Sequence, residues 1–284
     1  MQEIAPNIFI DNNSLGLVTG IIRTEKGTVL VDPPLRHDEV KSWRSGTARL
    51  VTGDARYLIC LDTNYDRLVS SKGTECTTIM QENFMAASKQ RPTSSRMSED
   101  TYLHAESHDL LGGSNRWMPP EIVYSKDLQL YMDDLEIRLE HHAGSNHAAT
   151  WVILPKAKIV FVGDAVLTDQ APFLAYADLG AWHEDLKLLA SRAYKGYQIV
   201  SARSGLVDQD QVRVMSKLIG FIQGLLEPLN EKDADLEAYY DVIPRILRKF
   251  ELNGSQHEIS FNRLRWGITT YYELLGKDAK GEQK

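Results

Sequence analysis

Cysteine is almost missing from this sequence: Cys60 and Cys76 are the only two. That excludes a disulfide-stapled scaffold, and Cys60, inside the apolar run YLIC, reads as a buried free thiol. Long hydrophobic runs are missing too. ATWVIL at 149–154 and KIVFVG at 158–163 are among the longest. Both fall far short of the roughly 20 residues needed to span a bilayer, so no membrane partner is expected. The opening MQEIAPNIFIDNN has no basic segment and no long apolar core, so a secretory leader is not expected and a cytoplasmic location is the default. Positive charge is scarce as well. The 32 Lys and Arg against 39 Asp and Glu leave a net charge of −7, which argues against nucleic acid as a partner. There is no internal repeat and no low-complexity tract apart from the charged end KDAKGEQK, which reads as frayed.

What remains is an ordinary globular composition, 43% apolar and 25% charged, over a length that suits one large domain or a domain with an appendage. Strand-like runs dominate the first part: LGLVTGIIRT at 15–24, GTVLVDPP at 27–34, ARYLICLD at 55–62 and TTIMQE at 77–82. HDEVKSW at 37–43 reads as a short helix, and residues 81–91 suit another. The stretch from about 89 to 119 is polar, broken by Pro and Gly, and reads as a long loop or lid. A β-meander resumes with EIVYS, LQLYM, LEIRLEHH, TWVILP and KIVFVGD. GAWHEDLKLLASRAY then reads as an amphipathic helix and YQIVSA at 197–202 as a final strand. Beyond it, apolar residues recur at helical spacing: Val214, Leu218, Phe221, Ile222 and Leu225, then Leu236, Tyr239, Ile243, Ile246 and Phe250, then Leu264, Ile268, Tyr271 and Leu275. Such stripes predict core. The expected division is a domain over 1–208 and a helical extension over 209–284 packed on it.

Chemistry-bearing residues collect where the run YLIC gives way to LDTNYDRL, which brings Asp62, Asn64, Asp66 and Arg67 together at a strand end. The spacing is that of a metal site, but the residue types are not. Further on, HHAGSNHAATWVILPKAKIVFVGD at 141–164 runs a Gly-containing turn, a strand, Leu-Pro, a strand and Gly-Asp. With the early hairpin ending in VLVDPP and the late SARSGLVD turn, this order resembles the metallo-β-lactamase superfamily over roughly 8–210. The resemblance implies a four-layer αβ/βα sandwich with a helical C-terminal extension and a site along one edge of the two sheets. Fold likeness does not by itself license a reaction.

In that superfamily the chemistry rests on His-x-His-x-Asp-His, a later His, a bridging Asp and a last His, which hold two metal ions. The first pattern falls here on Asp62-Thr63-Asn64-Tyr65-Asp66-Arg67, the later His on Ser145, the bridging Asp on Asp164, and the last turn on Arg203-Ser204-Gly205. Both motif aspartates are present and every histidine is replaced. A di-zinc or di-iron cofactor is therefore not expected. Two carboxylates about 4 Å apart with no metal between them repel by roughly 4 kcal/mol at an effective dielectric near 20. One answer is an internal network in which Arg67, or Arg203, supplies the positive charge through a forked contact. A second is simple drift with Arg67 in solvent. A third is a hard cation on Asp62, Asn64, Asp66 and Asp164. A shift of register at Ser145 would bring His142 or His147 into the pocket instead.

The remaining motifs read as structural. His104 and His108 are four apart without a third ligand, and His183 lies near a helix start. Gly112-Gly113 lacks phosphate-loop context, and Trp117 suits core packing as well as a pocket cover. Ser145 and Ser204 have no assigned base and no nucleophile-elbow motif. The expected function is a non-catalytic binder of a small molecule, or a subunit acting through its surface. The alternatives are a hydrolase of esters, lactones or phosphodiesters with an unusual metal set, and a homo-oligomer whose cleft is empty.

Overall fold

Strands β3 (Leu17–Arg23) and β4 (Gly27–Val31) are buried along nearly their whole length, so this part of the sheet must be covered on both faces. The computed structural model, which describes residues 1–14, 16–34, 37–63, 74–84 and 119–281, shows what covers them. Two strands precede them, β1 (Gln2–Ala5) and β2 (Ile8–Ser14), paired antiparallel. The polar run Asp11-Asn12-Asn13 hides β2 from periodicity, because Asn and Asp are poor strand formers. After β4 the chain crosses through α1 (His37–Thr47) to β5 (Ala55–Ile59), β6 (Thr77–Gln81) and β7 (Ile122–Tyr124), each parallel to the strand before. The first sheet is thus β1-β2-β3-β4-β5-β6-β7.

The second sheet has the order β13-β12-β11-β10-β9-β8. Its meander is β8 (Asp127–Met132), β9 (Leu135–His141), β10 (Thr150–Leu154) and β11 (Ile159–Phe161). Helix α2 (Leu179–Leu189) then leads to β12 (Gln198–Ser201), parallel to β11, and β13 (Gly205–Val207) closes the edge. Two expectations are corrected here. Residues 121–125 do not open the meander, because β7 pairs with β6 in the other sheet. The strand at 197–202 is not the last, since β13 follows, too short to show a period. Of the helix expected over 81–91, Gln81 instead ends β6 and residues 85–91 lie outside the described residues, as does the expected loop over 89–119 up to residue 118.

Four more helices complete the chain: α3 (Gln209–Glu231), α4 (Leu236–Tyr240), α5 (Ile243–Leu247) and α6 (Gly254–Gly281). A capping box starts α3. Asp208 accepts from the Gln211 N–H at 2.8 Å, and Gln211 Oε1 accepts from the Asp208 N–H at 2.8 Å. The buried face of α3 is Val212, Met215, Ile219, Ile222 and Leu226. Of the expected stripe only Ile222 belongs to it. Leu218, Phe221 and Leu225 flank it, and Val214 is 65% exposed. Because α3 is covered on more than one side, its apolar arc is wide and a single stripe misjudges the centre.

The core lies in three seams. Ile21, Leu30, Trp43, Leu58 and Phe84 join α1 to the outer face of the first sheet. Ile10, Ile22, Val29 and Ile59 meet Leu139, Val152 and Phe161 between the sheets. Trp151, Val160 and Val162 of the second sheet pack with Trp182, Ile219, Ile243 and Leu264 of the helices. The result is a four-layer αβ/βα sandwich. Cys60 and Cys76 are both free thiols, Cys60 buried. Among the described residues no helix is long and apolar enough to cross a membrane.

Candidate functional site

Four chain segments carry the expected residues to one edge of the sandwich. β5 delivers Leu61, Asp62 and Thr63, the β9–β10 loop Ser145 and Asn146, β11 the turn at Asp164, and β12 Arg203 and Ser204. Ligands of open α/β sheets collect outside the carboxyl ends of parallel strands, and β4 and β5 in one sheet and β11 and β12 in the other are parallel pairs.

Backbone contacts fix this edge before any side chain acts. Asp32, at the end of β4, has φ 55°, a left-handed conformation that aspartate tolerates. Its N–H donates to Ile59 O at 2.9 Å, and its Oδ1 accepts from the Leu61 N–H at 2.8 Å. Thr150 N–H donates to Leu61 O at 2.8 Å, which ties the first sheet's loop to β10 of the second. Gly163, with φ 60°, faces the same residue: a Cβ there would lie 3.5 Å from Leu61 Cβ. Asp62 and Asp164 are therefore held on either side of the seam between the sheets, and both are buried.

The side chains complete the lacing. Thr63 Oγ1 donates to Asn146 Oδ1 at 3.0 Å, and the Ala148 N–H donates to the same oxygen at 3.0 Å. Arg203 Nε donates to Asp164 Oδ2 at 3.1 Å, with the two side chains only 2% and 8% exposed. Arg203 Nη1 also reaches Gly16 O at 3.4 Å. Ser201 Oγ accepts from the N–H groups of Arg203 and Ser204 at 3.2 and 3.1 Å and donates to Val166 O at 2.6 Å. Ser204 Oγ accepts from the Thr168 N–H at 3.0 Å. None of Asp62, Asn146, Asp164 and Arg203 is without a partner.

Of the residues expected at the site, Asp62, Asp164, Arg203 and Ser204 lie along this edge, with Ser145 buried beside Asn146. It is the Asn146 amide that meets Thr63 across the seam. Asn64, Asp66 and Arg67 lie outside the described residues, as do His104, His108, Gly112, Gly113 and Trp117. His142 turns to the helix-covered face of the second sheet: its ring stacks on Trp151 at 3.7 Å and its Nδ1 pairs with Asp185 Oδ1 at 2.8 Å. His147 sets its ring edge on Tyr176. Sequence reasoning misses Asp32, Thr63, Asn146 and Asp185. Asp32 carries a signal, an aspartate at the end of a strand in VLVDPP, and Thr63 and Asn146 each lie next to an expected site residue, Asp62 and Ser145.

Two side chains of this edge are already engaged within the protein. Asp164 has an oxygen bonded to the Arg203 guanidinium. The Ser204 hydroxyl oxygen is bonded to a backbone amide. Among the described residues no three His, Cys, Asp or Glu side chains are placed to share a metal ion.

No protein-family model matches the sequence, and no curated protein matches it. Solved structures do. The chain is similar to the stereoselective inverting sec-alkylsulfatase from Pseudomonas sp., with TM-score 0.68 and 11% identity over 96% of this chain and 49% of the sulfatase. It is similar to a metallo-β-lactamase family protein from Thermus thermophilus, with TM-score 0.66 and 14% identity over 98% of this chain and 95% of the other. A metallo-β-lactamase from Pontibacter korlensis matches with TM-score 0.59 and 16% identity over 77% of this chain and 97% of its own. The chain spans about half the length of the alkylsulfatase structures, 51% and 49%.

Proposed function

We propose that this chain, which has the metallo-β-lactamase fold, uses its cleft without a di-metal centre, as a small-molecule binding pocket whose positive charge comes from a side chain. The observation that carries this reading is the buried contact between Arg203 Nε and Asp164 Oδ2 at 3.1 Å. A guanidinium on that oxygen repels a divalent ion and fills a direction from which a metal would be held. The Thr63–Asn146 contact and the Ser204–Thr168 contact support the same reading, because each uses a polar group at the edge to hold loops together. The pocket then keeps its shape and does not generate a metal-bound nucleophile.

A second reading is favoured by Asp62 and Asp164, two carboxylates buried at the same edge of the sandwich. Oxygen donors suit magnesium or calcium, and an ion there would make this chain a hydrolase, the class to which the sulfatase and lactamase neighbours' names point. One experiment separates the two. Protein purified without chelator is analysed for metals, then assayed with zinc, manganese, magnesium and calcium on a chromogenic ester, a lactone and a phosphodiester. The expected result is far less than one equivalent of metal and no metal-dependent turnover. One equivalent of a divalent ion with turnover that follows its occupancy overturns the first reading and establishes the second.

A further inference from the structure

At the opposite end of the sandwich, the hairpin turns of both sheets surround a cleft of about 660 Å³. That volume lies in the range of small-molecule sites. Its inner wall is apolar. Ile8 of β2 and Met132 of β8, from different sheets, are 3% and 5% exposed, belong to the core between the sheets, and line the cleft along with Leu135 and Ala157. The cleft is thus a mouth into the inter-sheet seam.

One cation that lines it lacks a partner among the described residues. Arg23 closes β3, with its backbone N–H donating to Asn7 O at 2.9 Å. Its Nε is buried and makes no hydrogen bond, and among the described residues its guanidinium has no ion-pair partner. A buried donor left unsatisfied is unfavourable, and a guanidinium matches a carboxylate in geometry and charge. The carboxylates nearby do not meet this need. Asp133 accepts from the Glu25 and Lys26 N–H groups at 2.6 and 3.2 Å and lies 3.6 Å from Lys26 Nζ. Glu25 and Asp134 are exposed on the rim, as is Lys156.

We propose that this cleft binds an alkyl carboxylate, with the carboxylate on the Arg23 guanidinium and the chain against Ile8 and Met132. The rim selects for a single charge: Glu25 and Asp134 repel a phosphate dianion more than a monoanion. The apolar wall selects for a tail that a small inorganic anion lacks. Nothing in this inference depends on the metal state of the cleft at the other end.

The test uses the full chain and octanoate, followed by calorimetry and by methyl NMR. Octanoate is expected to bind saturably at one site and to shift the methyl signals of Ile8 and Met132, while octylamine and inorganic phosphate do neither. Arg23→Gln is expected to weaken octanoate binding roughly tenfold to a hundredfold, as loss of a charge-assisted hydrogen bond does. Glu25→Gln with Asp134→Asn is expected to tighten it roughly twofold to fivefold. Absence of saturable binding overturns the proposal, as does affinity that survives Arg23→Gln, or shifts confined to residues such as Ala165 and Val166 at the other end. Should Arg23→Gln fail to fold, the rim pair decides: unchanged or weaker binding there also overturns it.

Discussion

Arg203 and Asp164 form a buried pair whose energetics depend on both members. In the low-dielectric seam the attraction offsets the cost of desolvating two charges only while each has its partner. Removing one leaves the other buried with less compensation. Arg203→Ala is therefore expected to destabilise the fold by about 3–5 kcal/mol, measured as the shift in a urea unfolding midpoint at constant slope. The double variant Arg203→Ala with Asp164→Ala is expected to be less unstable than Arg203→Ala alone. A double variant as unstable as the sum of the two single ones would remove the pair from this account. That Asp62, Asp164 and Ser204 follow strand ends is legible in the sequence because the apolar runs before them mark the strands. The Thr63–Asn146 contact is not, because which of two neighbouring loop residues turns inward depends on the loop's path and not on spacing.

Helix α2 governs two of the loops that build the edge. Asp178 N–H donates to Gly144 O at 3.0 Å, Asp185 Oδ2 accepts from the Gly144 N–H at 3.2 Å, and Trp182 Nε1 donates to Ala165 O at 2.9 Å. Gly144 is needed for that closeness: a Cβ there would come within 2.3 Å of Trp182 Cα. His142 sits in the same clamp, between Asp185 and Glu140, whose Oε2 is 3.6 Å from Nε2, an ion-pair distance and not a hydrogen bond. Burial pulls the imidazole pKa down, but Asp185 and Glu140 together hold it above its ordinary 6.5. Arg138, on the same strand as Glu140, bonds Glu136 at 2.7 Å and holds the Glu140 carboxyl down further, while the nearby Tyr194 phenol stays neutral, its pKa raised by burial. The sign follows from the raised value. His142 binds its proton more tightly when folded, so its contribution is fully present below about pH 6.5 and is lost as pH rises through the folded pKa. Urea midpoints are expected to fall across that window, and His142→Gln is expected to flatten the fall. A profile that His142→Gln leaves unchanged would show that the clamp is not held by charge.

At the scale of the whole molecule the last helices are part of the principal core. Ile219, Ile222, Tyr239, Ile243, Ile246, Leu264 and Ile268 share one buried cluster with Trp151, Val160, Val162 and Trp182. Ending the chain after Asp208 would uncover that face of α2 and the second sheet, a loss of burial no remaining element replaces. The truncated chain is expected to lose its near-ultraviolet circular dichroism and to self-associate on size exclusion. A truncated chain that is monomeric and keeps a cooperative unfolding transition would show that the sheets and α2 stand alone.

The sequence by itself determined most of the strands and helices, though not β1, β2 or β13, because burial on one or two faces writes a period into the residue types. It also determined which residue types stand at the strand ends, Asp62 and Asp164 among them, because that is a matter of residue identity. Only the tertiary structure decided that β7 belongs with β6, that α3 buries Val212 and not Val214, and that Arg203 meets Asp164 while His142 turns toward Asp185. Each of these depends on which surfaces are brought into contact across the fold, and a contact between distant segments leaves no period in either one.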